Sequence, residues 1–184
     1  LAPLRPALER ARTRYGAERV AVILGSSTGG IDATERALAH ERSTGKMPDD
    51  FVFEEAHVYN ALVCLVRESL GVSGVGFVIS TACSSSGKAL GAAQRLLDAG
   101  LANAVLTGGV DALCEMTLRG FAGLGILSPE GCRPFDAQRN GISIGEGAAL
   151  LLVERESDSP FRLWGVGESN DAHHATAPHP EGLG

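Results

Sequence analysis

Cys83 is the residue in this sequence that is best suited to covalent chemistry. It lies where a short apolar run over 75–79, typical of a buried strand, gives way to a helical pattern that begins near Ser84. The free N–H groups and the positive end of the helix dipole at such a junction favour a thiolate over a thiol. The small neighbours Ala82, Ser84 and Gly87 leave room for a substrate to approach. The predicted chemistry is nucleophilic attack by sulfur.

Other residues that could do chemistry have simpler interpretations. Cys64 lies in a strongly apolar run, which predicts a core thiol. Lys88, five residues after Cys83, could raise the local positive potential, but a solvated lysine is the preferred interpretation. Three histidines lie near the end of the chain: His173, His174 and His179. A metal site needs more ligands than they offer, so we expect them to be solvated or packed and predict no metal site.

The glycine-rich loop GSSTGG at 25–30 and three carboxylates are expected to be structural. The loop contains neither a Walker pattern nor G-x-G-x-x-G, which favours a strand-to-helix turn over a phosphate cradle. Asp111, Asp136 and Glu146 lie in predicted turns, where carboxylates often accept hydrogen bonds from backbone N–H groups. We therefore expect them to hold the backbone and not to shuttle protons.

The elements that must position Cys83 alternate between strand and helix. Apolar runs predict strands at 20–24, 75–79, 104–106 and 148–153, with a further strand starting at 161–166. Helical periodicity covers 4–15, 32–42, 54–70, 84–100 and 113–121. The segment 54–70 is apolar nearly all round, which predicts burial on more than one side. This alternation predicts the α/β class, with a largely parallel sheet flanked by helices.

Composition and charge exclude several functions. A length of 184 residues is enough for one domain with a sizeable core. The net charge of −6 and the lack of a basic stripe argue against a nucleic-acid partner. The sequence contains no run of 18 apolar residues, so it predicts no membrane span. The four cysteines lack metal-like spacing, and a chain of this size and core content needs no disulfide bonds, which favours a reducing compartment, the cytoplasm. Because the chain begins without Met, we expect it to be cut at its front.

Six motifs in sequence order carry a resemblance to a known family. They are GSSTGG at 25–30, STACSSSG at 80–87, LTGGVD at 106–111, RPFD at 133–136, RNGISIGEG at 139–147 and DAHHATAP at 171–178. In this order and spacing, the chain resembles the elongating β-ketoacyl-[acyl carrier protein] synthases, the condensing enzymes of bacterial fatty acid and polyketide synthesis. One departure is Asn140, where many members carry Asp before the glycine.

The resemblance implies a thiolase-like, layered α-β-α fold built from two similar halves. Each half would contain a mostly parallel five-stranded sheet in the order 3-2-1-4-5, and the first strand would be missing from this chain. We therefore expect a hole in the centre of the sheet and a piece that does not fold alone. Residues 1–160 would form the incomplete N-terminal half, and residues 161–184 the beginning of a truncated C-terminal half.

The resemblance also implies site residues and partners. Cys83 would be the cysteine that accepts the acyl group, and its own N–H would form half of an oxyanion hole. Thr28 matches a position that sets the floor of the acyl pocket, and Phe121 an aromatic of the pocket wall, although core packing would explain Phe121 equally well. The two histidines and the lysine needed for condensation would lie outside this chain. No cofactor is implied, because acyl groups arrive on the phosphopantetheine of an acyl carrier protein.

Family members pair the edge strand near Val75 across a dimer axis, which implies a homodimer or a ketosynthase heterodimer. Three alternatives stay open. A non-catalytic partner subunit that shapes chain length is disfavoured by Cys83, since such partners usually lack this cysteine. A thiolase or another acyl-CoA enzyme is disfavoured by the RPFD and GEG motifs at 133–136 and 145–147. The piece itself could also have a purely structural role.

Overall fold

Four strands form a single open sheet in the computed structural model, which describes residues 1–183. The strands are β1 (Val20–Gly25), β2 (Gly76–Ile79), β3 (Ala104–Asp111) and β4 (Gly147–Glu154). Their order across the sheet is β2-β1-β3-β4. The β1–β2 and β1–β3 pairs are parallel, whereas β3–β4 is antiparallel. The predicted α/β class with a mostly parallel sheet is confirmed.

Helices cover both faces of this sheet. They are α1 (Arg5–Tyr15), α2 (Ile31–Thr44), α3 (Phe53–Ala56), α4 (Tyr59–Leu70), α5 (Ser85–Asp98) and α6 (Glu115–Gly123), with 3-10 turns at Ala2–Leu4 and Ala17–Arg19. Alternate residues of the fully buried β1 face opposite layers, because successive side chains of a strand point to opposite sides. Val20, Val22 and Leu24 pack with α1 and α4, while Ala21 and Ile23 pack with α5. The molecule is therefore a three-layer α-β-α sandwich, as predicted.

The expected hole in the centre of the sheet is absent. β1 and β3 are hydrogen-bonded neighbours over six residue pairs, from Val20 opposite Ala104 to Gly25 opposite Gly109. Their buried apolar side chains leave no gap that a missing strand could fill. The expectation was wrong because the strand order came from the resemblance and not from residues of this chain. A fifth strand could join this sheet only beside β2 or β4, its two edges.

The prediction of one long buried helix over 54–70 was also wrong. The chain breaks at His57 and Val58 into α3 and α4, because Val58 adopts an extended backbone. The buried residues Val63, Val66 and Leu70 line one face of α4. Leu65 is 66% exposed, so the helix is buried on one side and not on several.

Cys64 is exposed and is not the core thiol that the sequence predicted. Its sulfur accepts a hydrogen bond from Asn60 Nδ2 at 3.4 Å, one turn earlier on α4. An apolar run indicates burial but does not say which face a neighbouring layer covers. In α4 that covered face contains Val63 and Val66 and leaves Cys64 outside.

Three strand predictions need correction. β2 is a half-exposed edge strand and not a buried one, because it pairs with β1 alone. β3 extends beyond residue 106 to Asp111, so the expected turn over 107–111 continues the strand and pairs with β4. Residues 161–166 form no strand, and Phe161 and Trp164 are 85% and 94% exposed.

The domain division at residue 160 stays a prediction. No helix among residues 1–183 is both long and apolar enough to cross a membrane.

Candidate active site

The candidate site lies at one edge of the sheet, where three parallel strands end. The loop Ser26–Thr28 follows β1, Cys83 follows β2, and Asp111 is the last residue of β3. Because these strands are parallel, their carboxyl ends meet at the same edge. Open α/β sheets bind ligands outside this edge. The sheet topology therefore brings Cys83 and the glycine-rich loop together.

Cys83 is exposed at the junction between β2 and α5. Ser84 is the N-cap residue of α5, so the sulfur lies beside the positive end of a 14-residue helix. Ala82, immediately before it, has φ = 54°, a left-handed conformation that costs a non-glycine residue about 1–3 kcal/mol. Such strain persists only where surrounding contacts impose it, and it is concentrated at functional sites.

Serine side chains hold this local conformation. Ser85 Oγ donates to the Ala82 carbonyl at 2.6 Å and accepts the Thr81 N–H at 2.9 Å. Ser84 Oγ donates to the Thr81 carbonyl at 2.8 Å. From another element, Ser27 Oγ donates to the same Ala82 carbonyl at 2.9 Å. The peptide before Cys83 is thus held from within the turn and from the loop after β1.

Cys83 opens onto a cleft of about 540 Å³. Most of its lining residues are small: Gly25, Ser27, Ala82, Ser85, Ser86, Gly108, Gly109, Gly147, Ala148 and Ala149. Gly25 is required here for packing, since a Cβ atom at this position would lie 2.5 Å from the Ser86 nitrogen, in the first turn of α5. Small side chains let α5 approach β1 closely and leave the space beside the sulfur open.

Asp111 joins the end of β3 to the loop after β1. Its Oδ1 accepts the N–H groups of Ser27 at 2.7 Å and Thr28 at 2.9 Å. The same oxygen accepts the hydroxyls of Ser26 and Thr28, each at 3.0 Å. The Thr28 hydroxyl in turn accepts the Ala112 N–H at 3.3 Å, and Ser26 Oγ accepts the Gly29 N–H at 2.9 Å. The network gives the loop one defined conformation.

Two opposing effects act on the pKa of Asp111. Partial burial raises it, because burial disfavours the charged form. The N–H groups of Thr28 and Ser27, together with the Ser26 and Thr28 hydroxyls, lower it by stabilising the carboxylate. The hydrogen bonds outweigh burial, so the pKa of Asp111 lies below its ordinary value. Asp111 is therefore a carboxylate that holds backbone, as the sequence predicted.

The other two carboxylates in predicted turns also bind backbone N–H groups. Glu146 Oε2 accepts the Leu113 N–H at 3.1 Å, and Asp136 Oδ1 accepts the Gln138 N–H at 2.6 Å. Both match the structural role expected from the sequence.

Thr28 and Phe121, the two predicted pocket residues, are not among the residues that line the Cys83 cleft. Thr28 is buried, and its hydroxyl belongs to the Asp111 network. Phe121 is half-buried on α6. That helix is anchored to α2 by Glu35, whose carboxylate accepts the N–H groups of Glu115 and Met116 at 2.8 and 2.7 Å. Their roles in substrate binding stay predictions.

Lys88 is paired and not simply solvated. Its Nζ lies 2.6 Å from Glu168 Oε2, and Arg95 approaches the other Glu168 oxygen at 3.6 Å. The hydrogen bond and the charge of Lys88 lower the pKa of Glu168 below its ordinary value. The pairing connects α5, which begins just after Cys83, to the segment after residue 160. A lysine five residues from Cys83 thus has its own counter-ion.

The histidines near the end of the chain form no metal site in the described structure. His173 and His179 contact each other edge to face, with ring centroids 4.9 Å apart. Asp171 accepts their backbone N–H groups at 3.1 and 3.0 Å, which lowers the pKa of its carboxyl. Across residues 1–183, no group of three or more His, Cys, Asp or Glu side chains is arranged to hold a metal ion.

The cluster of Ser26, Ser27 and Asp111 was not predicted as part of the site. Asp111 was assigned to a separate turn, and the two serines were treated only as loop residues. A usable signal was present, because polar residues that end two parallel strands meet at the same sheet edge. The sequence singled out Cys83 but not the contacts that hold the turn around it.

Most of the chain matches a known family. The description "Beta-ketoacyl synthase, N-terminal domain" covers residues 3–159. The chain belongs to the β-ketoacyl synthase family. The resemblance inferred from the six motifs is thereby confirmed, and the fold is thiolase-like.

Individual relatives agree with this assignment. Nodulation protein E of Rhizobium meliloti is 37% identical over 172 residues, which cover 89% of this chain and 43% of that protein. The 3-oxoacyl-[acyl-carrier-protein] synthase 2 of Staphylococcus aureus is 32% identical over 183 residues, covering 91% of this chain and 45% of that protein. A chain of the solved complex between the ketosynthase ApeO and its chain length factor ApeC, from Xenorhabdus doucetiae, superposes with a TM-score of 0.91 at 40% identity. The match covers 100% of this chain and 46% of that one, so the chain spans less than half the length of these relatives.

Proposed function

We propose that this chain is the nucleophile-bearing half of a condensing enzyme of fatty acid or polyketide synthesis. The observation that carries the proposal is the position of Cys83, an exposed thiol at a helix N-terminus beside a cleft lined by small residues. The S. aureus relative is named as a synthase that acts with an acyl carrier protein. The proposed substrate is therefore an acyl thioester on the phosphopantetheine of a carrier protein, with no bound cofactor.

In the proposed acyl transfer, the Cys83 sulfur forms a bond to the thioester carbonyl carbon, and the carbonyl electron pair moves onto oxygen. That pair returns as the bond to the carrier sulfur breaks, and the carrier thiolate takes up the proton that Cys83 lost. The backbone N–H of Cys83 would donate to the transient oxyanion. The structure supports this step through the exposed sulfur and the open cleft beside it.

In the proposed condensation, a malonyl thioester on a second carrier loses CO2, and the resulting enolate carbon attacks the acyl group on Cys83. A carbon–carbon bond forms, and the Cys83 thiolate leaves. Donors to the enolate are expected from residues outside this chain. Asp171, His173 and His179 are not assigned to this step, since their described contacts are with one another.

The proposed partners are an acyl carrier protein and a second ketosynthase-like subunit. β2 supports the second part, because it is an edge strand whose Phe77 is 36% exposed. An unpaired apolar strand edge favours pairing with another chain. The ApeO ketosynthase was solved with a chain length factor, which supports a heterodimer, and a homodimer stays the alternative. All four cysteines are free thiols in the described structure, which supports a reducing compartment such as the cytoplasm.

The solved complex of ApeO with its chain length factor supports a second candidate function, a chain-length subunit that does not itself carry an acyl group. Cys83 favours the catalytic role. The test is incubation of the natural full-length protein that contains this chain with an acyl carrier protein charged with a radioactive acyl group. We expect one label per chain, located on Cys83 by peptide mapping and lost in Cys83→Ala. Carrier binding without a label would favour the chain-length subunit and overturn acyl transfer.

A further inference from the structure

The peptide unit between Ala82 and Cys83 is oriented by three hydrogen bonds to its carbonyl oxygen. Ser27 Oγ donates at 2.9 Å, Ser85 Oγ at 2.6 Å and the Ser85 N–H at 3.1 Å. No cis peptide bond occurs in the described chain, so this unit is planar and trans. In a trans peptide the N–H points opposite to the C=O. Bonds that fix the direction of the Ala82 carbonyl therefore also fix the direction of the Cys83 N–H.

Ser27 is itself held at both of its backbone polar groups. Its N–H donates to Asp111 Oδ1 at 2.7 Å, and its carbonyl accepts the Tyr59 hydroxyl at 2.8 Å. These contacts come from the end of β3 and the start of α4, which are independent elements. The Ser27 hydroxyl is thus presented to Ala82 from a fixed point on the scaffold. The Ser85 bonds differ, because they lie within the nucleophile turn and move with it.

We propose that Ser27 is a positioning residue for acyl transfer, whose hydroxyl aims the Cys83 N–H at the thioester oxygen. The inference rests on the proposed function of Cys83 and adds a residue to it. Asp111 and Tyr59 act one step further away, by holding Ser27. The left-handed backbone of Ala82 fits this role. Its φ of 54° places the Ala82–Cys83 peptide in an orientation that an unconstrained non-glycine residue rarely adopts.

Two reactions of the Cys83 sulfur can distinguish a role of Ser27 in positioning the Cys83 N–H from a general structural role. Attack on a thioester develops a negative charge on the carbonyl oxygen, which the Cys83 N–H would stabilise. Alkylation by iodoacetamide forms a bond to the CH2 carbon as iodide leaves, and no tetrahedral oxyanion arises. Loss of the Ser27 hydroxyl should therefore slow acylation much more than alkylation.

The experiment uses the natural full-length protein and the octanoyl thioester of N-acetylcysteamine, with both rates at Cys83 followed by mass spectrometry. For Ser27→Ala we expect acylation to slow roughly 5- to 20-fold and alkylation to change less than about twofold, since a misdirected oxyanion donor affects only the first reaction. Ser27→Thr, which keeps the hydroxyl, should restore most of the acylation rate. Ser43→Ala is the matched control, because it removes an exposed hydroxyl that donates to the backbone carbonyl of His40 on α2.

Equal losses in both reactions would assign Ser27 a general structural role and overturn the proposal, as would unchanged acylation. Tyr59→Phe is a second variant in case Ser27→Ala misfolds. It frees the Ser27 carbonyl and should slow acylation by a smaller factor with alkylation unchanged. A wild-type protein that is alkylated but never acylated at Cys83 would overturn the proposed function itself. That result is distinct from a failure of Ser27 alone.

Discussion

Asp111 Oδ1 lies 3.0 Å from Thr28 Oγ1, so a carboxylate at the end of β3 binds a buried hydroxyl in the loop after β1. The same oxygen accepts three further donors, from Ser26, Ser27 and Thr28. The contact explains why Thr28 has a defined position beneath the site. It also makes Asp111 the connection between two strands that both end beside Cys83.

Asp111→Asn should weaken this connection. The amide keeps the shape of the side chain but loses the charge that four donors stabilise, and hydrogen bonds to charged groups are the stronger ones. We expect the free energy of unfolding at neutral pH to fall by roughly 1–3 kcal/mol, measured by urea denaturation. Asp50→Asn is the control, because Asp50 is exposed in the loop before α3.

The pH dependence of this loss follows from the lowered pKa of Asp111. A carboxyl whose pKa is lower in the folded state stabilises the protein fully above its unfolded pKa, and loses that effect as the pH falls through the folded value. The stability difference between wild type and Asp111→Asn should therefore persist down to the ordinary value of 3.8 and shrink below it. A difference that stays constant or grows in acid would contradict the role of the charge.

Gly25→Ala should disturb the packing of β1 against α5. The new Cβ would lie 2.5 Å from the Ser86 nitrogen, and helix backbone cannot move aside as a flexible side chain can. Overpacking of this kind should cost roughly 1–3 kcal/mol of stability in thermal or urea unfolding. Gly87→Ala is the matched control on α5. A Cβ there meets nothing within 4 Å, and alanine should stabilise the helix by up to about 1 kcal/mol. Equal stability of the two variants would show that the β1–α5 contact is looser than described.

The elements set by local pattern were predictable from the sequence. β1 is a continuous apolar run, and α5 repeats apolar residues at helical spacing. The break between α3 and α4 was not predictable, because it depends on tertiary contacts of His57 and Tyr59 with Thr34 and Ser27. The double glycine at 108–109 resembled a turn, yet it lies within β3 because β4 pairs alongside.

Only the part of the site that depends on local sequence pattern was predictable. Cys83 stands out because its neighbours in sequence create the strand-to-helix junction. The support comes from distant residues: Ser27 lies 55 positions before Ala82, whose carbonyl it contacts, and Asp111 lies 84 positions after Ser27. Such contacts follow from strand order, which local pattern does not contain. The erroneous hole between β1 and β3 had the same origin.

The most direct measurement of the central claim is the relative reactivity of the four cysteines in the folded natural protein. Cys64, Cys83 and Cys132 are all exposed and Cys114 is buried, so Cys64 and Cys132 are matched comparisons for exposure. With limiting iodoacetamide or cerulenin, we expect Cys83 to react at least about fivefold faster than Cys64 and Cys132, because it alone among the four lies at the junction before α5. In urea the differences should disappear. Equal or faster labelling of Cys64 or Cys132 in the folded protein would contradict the assignment of Cys83 as the nucleophile.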